Sequence, residues 1–481
     1  MSLRVTRRGL LLGMGAAALS GAGIPTAAAS ERGPAERLFG SISEMAGFGP
    51  RFTGGSAHRR YLDWVQYRLE TLGLTVKRYP VPLDGWWARS WSLRVTDAQG
   101  RTQHIPVAYY RPHSGETAPS GVTAKLVDVG AGTEQDYAAK DVRGRIVLAD
   151  FAVTRAKVSS LFPLTDHYEP PDRQQEAGAE DYTRIAFASV PPSLELARQH
   201  GAVAMVDVID LPPQEAAGQY SPHQQAYAAL PALHLDRVQG TRLRAVLAQG
   251  PVTATLVLDA AHRQTTTDYL VAELPGSGRI PGAVLVGTHT DGQNAVEENG
   301  GPVLLALARY FCRLPVSQRP RDLLFVLSPN HMCSDAASVK LDRWLTQHQE
   351  LTSRITHAIT PEHLGTLDWV NDPSGGYGPN GLTEIAGLGV GNSDALTSLV
   401  IDQVQRSRLD RSSVLRPYAG GLYGEGTYPY QLGIPTVQYI SGPTYLVQVA
   451  PGDHLDKLSP TRLYAQTKFL ADLVTRILSS T

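Results

Sequence analysis

Ala283-Val284-Leu285-Val286-Gly287-Thr288 runs directly into His289-Thr290-Asp291, and Glu297-Glu298-Asn299-Gly300-Gly301 follows before an apolar stretch over 302–313. A short apolar run closed by polar residues predicts a strand buried on both faces, as in a parallel sheet. Open sheets of that kind bind ligands beyond the carboxyl ends of their strands. An imidazole and several carboxylates collected at that edge form the donor set that a divalent cation requires. The stretch thus predicts an α/β scaffold carrying a metal-dependent hydrolytic site.

The same rhythm continues outward. After Asp268, strands are expected at 269–274, 283–288, 323–328, 355–359 and 436–439. Helices are expected at 302–313, 335–349, 393–407 and 461–479. Strands alternating with helices of this length give an α/β fold, a mostly parallel doubly wound sheet covered on both faces. Upstream, 35–46 has helical spacing. Residues 56–72 form an amphipathic helix with Tyr61, Trp64, Val65, Leu69 and Leu72 on one face, followed by a strand at 74–81. From 107 to 262 the pattern shifts to short runs broken by Gly and Pro. Strands are expected there at 125–129, 145–150, 202–208 and 253–258, with a polar surface loop over 168–186. The expected division is 30–106 and 263–481 as the main domain, with 107–262 inserted as a β-rich domain.

Thr6-Arg7-Arg8-Gly9-Leu10-Leu11-Leu12, a Gly- and Ala-rich apolar stretch and Ala27-Ala28-Ala29 predict a twin-arginine export signal over 1–29, with the mature chain starting near Ser30. That route carries folded proteins, so a cofactor can be acquired before export. A net charge of −1 over 481 residues gives no electrostatic pull toward nucleic acid or anionic membrane, and no span is expected once the signal is removed. The expected partner is a small-molecule or peptide substrate. Cys312 and Cys333 are too few for a disulfide framework, and either one bridge or two buried thiols fits.

Three polar groups fall behind successive strands: His289 with Asp291, Asn330 with His331, and Glu362 with His363. Glu297, Glu298 and Glu362 sit in apolar surroundings where an unpaired carboxylate is costly, and no Arg or Lys stands out nearby as a partner. A cation would offset that charge. Asp291 is expected to accept the second ring N–H of His289 and orient it. The alternative use of Glu297 and Glu298 is to face the dipole of the helix that follows. Trp86, Trp87, Trp91, Tyr423, Tyr428, Tyr430 and Tyr445 supply aromatic surface for the expected mouth.

From about Pro34 onward the chain resembles the secreted zinc exopeptidases related to bacterial leucyl aminopeptidase and glutamate carboxypeptidase, with an inserted protease-associated domain. The resemblance rests on Arg51-Phe52-Thr53-Gly54-Gly55-Ser56 before a helix and on Val142-Arg143-Gly144-Arg145-Ile146-Val147-Leu148. It also rests on His289-Thr290-Asp291, Gly433-Ile434-Pro435-Thr436 and Leu455-Asp456-Lys457-Leu458. It implies a zinc ligand at His289, an orienting acid at Asp291, a bridging carboxylate at Glu297 and a metal carboxylate at Glu362. The family's Glu-Glu pair falls on His331 and Met332, and its last metal histidine on Val449. Neither Met332 nor Val449 suits a hard site. The expected centre is therefore one divalent ion, zinc foremost, or none, held by His289, Glu297 and Glu362, with His331 as base or polarising group. Glu298, His363 and His454 stand as substitute ligands. The expected activity is hydrolysis of a peptide-like or other amide-bearing small substrate. The rival expectations are an inactive pseudo-peptidase that binds ligand, and an acyl- or glycan-processing enzyme reusing the cleft.

Overall fold

A computed structural model describes residues 33–177, 181–183, 189–223, 225–371 and 376–480; the expected export signal lies outside them. A large mixed sheet runs through the molecule. Its centre is the predicted one: Ala283–His289 lies between Asp322–Ser328 and Ile355–Pro361, both parallel to it, and Thr436–Ser441 continues in parallel beyond Ile355–Pro361. Ala386–Gly391 and Ser412–Leu415, neither of them expected from the sequence, extend this side.

The period-two alternation of side chains sorts the central strands between two cores. Val284, Val286, Leu323, Phe325 and Leu327 face a core shared with the helices Pro34–Ala46, Ser56–Glu70, Gly300–Arg313 and Pro460–Ser479. Ala283, Leu285, Leu324 and Val326 face the opposite core, which closes on Trp344 and Leu345 of the short helix Leu341–Gln347. Each Leu, Val or Phe so buried contributes about 1.5–3 kcal/mol. A helix over 335–349 was expected; Leu341–Gln347 forms, and a separate short helix, Gln349–Thr352, follows it. Lys340, which stands just ahead of the first, instead donates to the carbonyls of Asn330 (2.7 Å), His331 (3.0 Å) and Cys333 (2.6 Å), and so fixes a turn.

The stretch 107–262 builds the other end of the same sheet. The expected strands at 74–81 and 253–258 are the ends of two long ones, Val76–Thr96 and Thr253–Leu274, paired antiparallel. Thr253–Leu274 pairs with Asp322–Ser328 at one end and with Val122–Gly130 at the other. Ile146–Phe151, Ala204–Ile209 and Ala232–Leu235 then follow in parallel. The surface loop expected over 168–186 is corrected at its start. Thr165–Glu169 is a strand paired with Ser412–Leu415, with Tyr168 buried, so this arm reaches the far edge of the sheet. Cys312 and Cys333 are both free thiols, which removes the bridge. Among the described residues no helix is long and apolar enough to cross a membrane.

Candidate metal centre

Four parallel strands end side by side, and polar groups gather at their ends; His331, Glu362 and His363 line a cavity of about 320 Å³, with the fully buried His289 beside them. His289 closes the first. The turn after Asp322–Ser328 presents His331. Glu362 and His363 stand at and beyond the end of Ile355–Pro361, and the carbonyl of Ser441 ends Thr436–Ser441. Between His289 and the next helix, the turn over 292–299 carries Glu297. Asn294 holds that turn, accepting from the backbone N–H of Val296 (2.9 Å) and Glu297 (3.1 Å) and donating to the carbonyls of Leu446 and Gln448. Asn299 exchanges two hydrogen bonds with the backbone of Leu364, at 2.8 and 2.9 Å, which ties Glu362 and His363 to the same turn. Gly300 permits the close fit, because a Cβ there would strike Thr288 Oγ1 and the carbonyl of Pro361.

The imidazoles share one posture. His289 Nδ1 pairs with the carbonyl of Asp291 (2.9 Å), His331 Nδ1 with Glu425 Oε1 (2.9 Å) and His363 Nδ1 with the carbonyl of Ser441 (2.6 Å). An acceptor at Nδ1 places the proton there and leaves the Nε2 lone pair for another partner. Those Nε2 atoms converge on the two glutamates. His289 Nε2 is 3.8 Å from Glu362 Oε2, His363 Nε2 is 3.6 Å from Glu297 Oε2, and His331 Nε2 is 3.7 Å from Glu297 Oε1. These separations are too long for hydrogen bonds. They approximate the spacing, roughly 3.4 Å, between ligand atoms of a tetrahedral ion with bonds of ~2.1 Å.

His289 Nε2 and Glu362 Oε2 are buried and have no hydrogen-bond partner, a costly state that a cation between them would relieve. Burial, aided by Asp291, pushes Glu297 up to about 8. Burial, with Glu425 and Glu297 beside it, holds Glu362 well above the usual carboxylate range. Burial also drives His331 well below the ordinary imidazole value, with His289 and Lys340 adding repulsion. Without an ion the two acids resist ionising and His331 resists protonation. A dication would draw the acids into their ionised form and would meet an imidazole that is already neutral. His289, Glu297, Glu362 and His363 fit a metal.

Several sequence-based expectations are corrected. The Asp291 carboxylate does not hold His289; its nearer oxygen is 3.9 Å from Nδ1. It accepts instead from Thr53 Oγ1 (2.5 Å) and from the backbone N–H of His331 (2.9 Å) and Met332 (2.8 Å), so it positions the turn that displays His331. Burial alone would push Asp291 up, but His58, His289 and the Thr53 hydroxyl hold it down. Glu298 does have a cationic partner: Arg51, fully buried, pairs with Glu298 and with Asp453, the latter at 2.7 Å. One oxygen of Glu298 is thus held by Arg51, and it is Glu297, not Glu298, whose oxygens lie among the convergent imidazoles. His454 packs beside the Tyr445 ring, away from the convergent donors. His363 does join them. Trp86 and Trp91 belong to a core, Tyr445 is fully buried, and Tyr428 lines the cavity.

Two residues escaped the sequence reading. Glu425 bonds His331, receives the Ser328 hydroxyl (2.6 Å), and its N–H donates to Glu362 Oε1 (2.8 Å). Gly424 before it lets the chain press on Glu362, where a Cβ would contact both carboxylate oxygens at 2.7–2.9 Å. His223, from the stretch 107–262, brings Nε2 to 3.9 Å from Glu297 Oε1. A lone acid between glycines and a lone histidine after Pro222 carry no sequence signal that separates them from ordinary loop residues.

No family model matches the chain, and no curated protein matches it in sequence. Solved structures do. A zinc aminopeptidase from Bacillus subtilis superimposes with a TM-score of 0.64 at 18% identity, covering 92% of this chain and 95% of that one. An aminopeptidase from Aneurinibacillus sp. strain AM-1 gives 0.59 at 18%, covering 92% and 93%. A peptidase M28 precursor from Shewanella amazonensis SB2B gives 0.65 at 17%, covering 93% and 96%. This chain shares their fold. The agreement is one of architecture, laid over a cluster in which Met332 is buried in a core and Val449 packs against it.

Proposed function

We propose that the protein is an exported metal-dependent hydrolase of the exopeptidase type, acting on a peptide-like or other amide-bearing small substrate. The observation that carries this reading is the convergence of imidazole Nε2 atoms, each with Nδ1 pinned behind it, on two buried glutamates. The fold it shares with proteins described as zinc aminopeptidases supports the same class.

His289, Glu297 and Glu362 would hold the cation, with His363 as a fourth donor. Zinc there would supply Lewis-acid charge to polarise a scissile carbonyl and to acidify water. The chain's own residues do the rest. His331 is kept neutral by burial, and its Nδ1–H is fixed by Glu425, whose other oxygen is fixed by Ser328. Its Nε2 therefore faces the cavity, either to take a proton or to polarise what binds there. Should it take a proton, the Glu425 carboxylate stabilises the imidazolium. Thr427, Tyr428, Ile440, Leu446 and Val447 wall the cavity and limit water around the reacting bond.

The test is a panel of aminoacyl, acyl and glycosyl chromogenic substrates, run on protein treated with chelator and then reconstituted with zinc. Hydrolysis of an aminoacyl anilide that is lost on chelation and restored by zinc is expected. Turnover of none of them, with substrate still bound, would replace this reading with that of a ligand-binding pseudo-peptidase.

A further inference from the structure

Adjacent strands in the stretch 107–262 build a charged network, no member of which lines the cavity. Tyr109–Tyr110 pairs with Ala232–Leu235, which pairs in turn with Ala204–Ile209, and the register sets His234 beside Asp207. Arg111 follows the first of these strands, and all three charged or titratable side chains are buried. His234 Nδ1 holds one oxygen of Asp207. Arg111 Nη1 stands 3.4 Å from the other oxygen and donates to the carbonyl of Pro192 at 2.7 Å. A buried ion pair is a weak source of stability, because desolvation offsets its attraction. A network with its members satisfied does something else well: it holds one arrangement.

The remaining edge of the guanidinium shows what is held. Arg111 Nε donates to Gln225 Oε1 at 3.2 Å, and Gln225 Nε2 donates to the carbonyl of Ser221 at 3.1 Å. The backbone N–H of Gln225 meets the carbonyl of Pro222 at 3.0 Å. The turn 221–225 is thereby braced on itself and tied to the network. Its approach is fixed from the other side, where Gly218 accepts from Val449 and Tyr220 donates to Val447, both at 2.7 Å. His223 stands in the middle of this turn. It is the one residue of 107–262, among those described, that lines the cavity, and its ring meets that of His331 edge to face at 4.8 Å. We propose that Arg111 and Gln225 are positioning residues of the hydrolase, which lock this turn so that His223 contacts bound substrate and sets its affinity. The inference rests on the hydrolase reading and gives the stretch 107–262 a part in it. Without Gln225 the turn loses both its internal brace and its tie to Arg111, and substrate must order His223 as it binds.

The experiment compares zinc-loaded wild type, Gln225→Ala, His223→Ala and the double variant on leucine para-nitroanilide. It separates kcat from KM, counts zinc per chain and uses circular dichroism as the folding check. The expected result is a KM raised about tenfold in each single variant, with kcat changed far less. The double variant should show no further rise, because Gln225 acts through His223. Single effects that multiply in the double variant, as a merely structural role would give, overturn the inference. So does a wild-type KM in Gln225→Ala. Either outcome leaves the hydrolase reading standing. Wild type that binds the anilide without turning it over removes the hydrolase reading, and Kd then takes the place of KM in the same comparison. Wild type that neither binds nor turns over any substrate of the panel removes both. Should Gln225→Ala fail to fold, Gln225→Met, of similar volume and without the acceptor, takes its place and the same comparison decides.

Discussion

Replacing Arg51 with methionine keeps most of the side-chain volume and removes the charge. In the folded protein Arg51 is fully buried between Glu298, also fully buried, and Asp453. It also donates to the carbonyls of Met45 (3.3 Å) and Gly49. Breaking a buried ion pair from one side costs about 3–5 kcal/mol, because the remaining carboxylate stays desolvated without its partner. The lost bonds to carbonyls add roughly 1 kcal/mol each where no water replaces them. A loss of about 5–7 kcal/mol is therefore expected in chemical denaturation at pH 8. The penalty should shrink at pH 5, since the orphaned Glu298 can take a proton and each unit of pKa shift is worth about 1.4 kcal/mol. Adding Glu298→Gln should restore part of the stability. A single Arg51→Met variant within 1 kcal/mol of wild type at pH 8 would refute the reasoning, because it would mean that Glu298 is not held by this pair. Glu298 would then return as a candidate ligand.

Three further outcomes are expected. Glu425→Gln should fold normally yet lower zinc affinity or turnover by about 10–100-fold, as lost support behind a functional imidazole does; a wild-type zinc titration and rate would count against the role given to Glu425. Zinc should stabilise the protein more at pH 8 than at pH 5, as followed by melting temperature. Folded, metal-free protein keeps a proton on Glu297 up to about 8, whereas the unfolded chain releases it near 4.5, so its stability falls as pH rises through that window by on the order of 4–5 kcal/mol; a zinc-induced shift independent of pH would contradict this. His58, pulled down to about 4 by burial against an ordinary 6.5, acts in the opposite sense. Its contribution is intact above pH 6.5 and is lost as pH falls toward 4, roughly 3 kcal/mol in all, and a His58→Gln variant should show a weaker acid loss in denaturation midpoints.

The centre of the fold was legible because burial leaves a local mark. Residues 283–289 and 322–328 are apolar enough to belong inside a parallel sheet, and His289 and His331 stand where such strands end. Ala386–Gly391 was not legible, since alternating glycines in Ala386-Gly387-Leu388-Gly389-Val390-Gly391 erase the apolar signature of a strand that is nonetheless buried between neighbours. The long strands at 76–96 and 253–274 were cut short by their polar middles, where Arg89, Arg263 and Gln264 are exposed to solvent while the pairing runs on past a bulge at Arg89. At the site, His289, Glu297 and Glu362 follow strands or precede a helix, and their positions could be read. Arg51 with Glu298, Glu425 with His331 and His223 with Glu297 could not. Each pair joins residues dozens to hundreds of positions apart, and only the folded chain brings them within reach.

Nitrogen and oxygen donors gathered from separate strands are expected to surround zinc. X-ray absorption spectroscopy of the zinc-loaded protein reads that shell directly. The expected spectrum shows only nitrogen and oxygen neighbours at about 2.0–2.2 Å with imidazole back-scattering, and it loses an imidazole contribution in His289→Gln. A zinc spectrum with a sulfur neighbour near 2.3 Å, or one unchanged by His289→Gln, would contradict it.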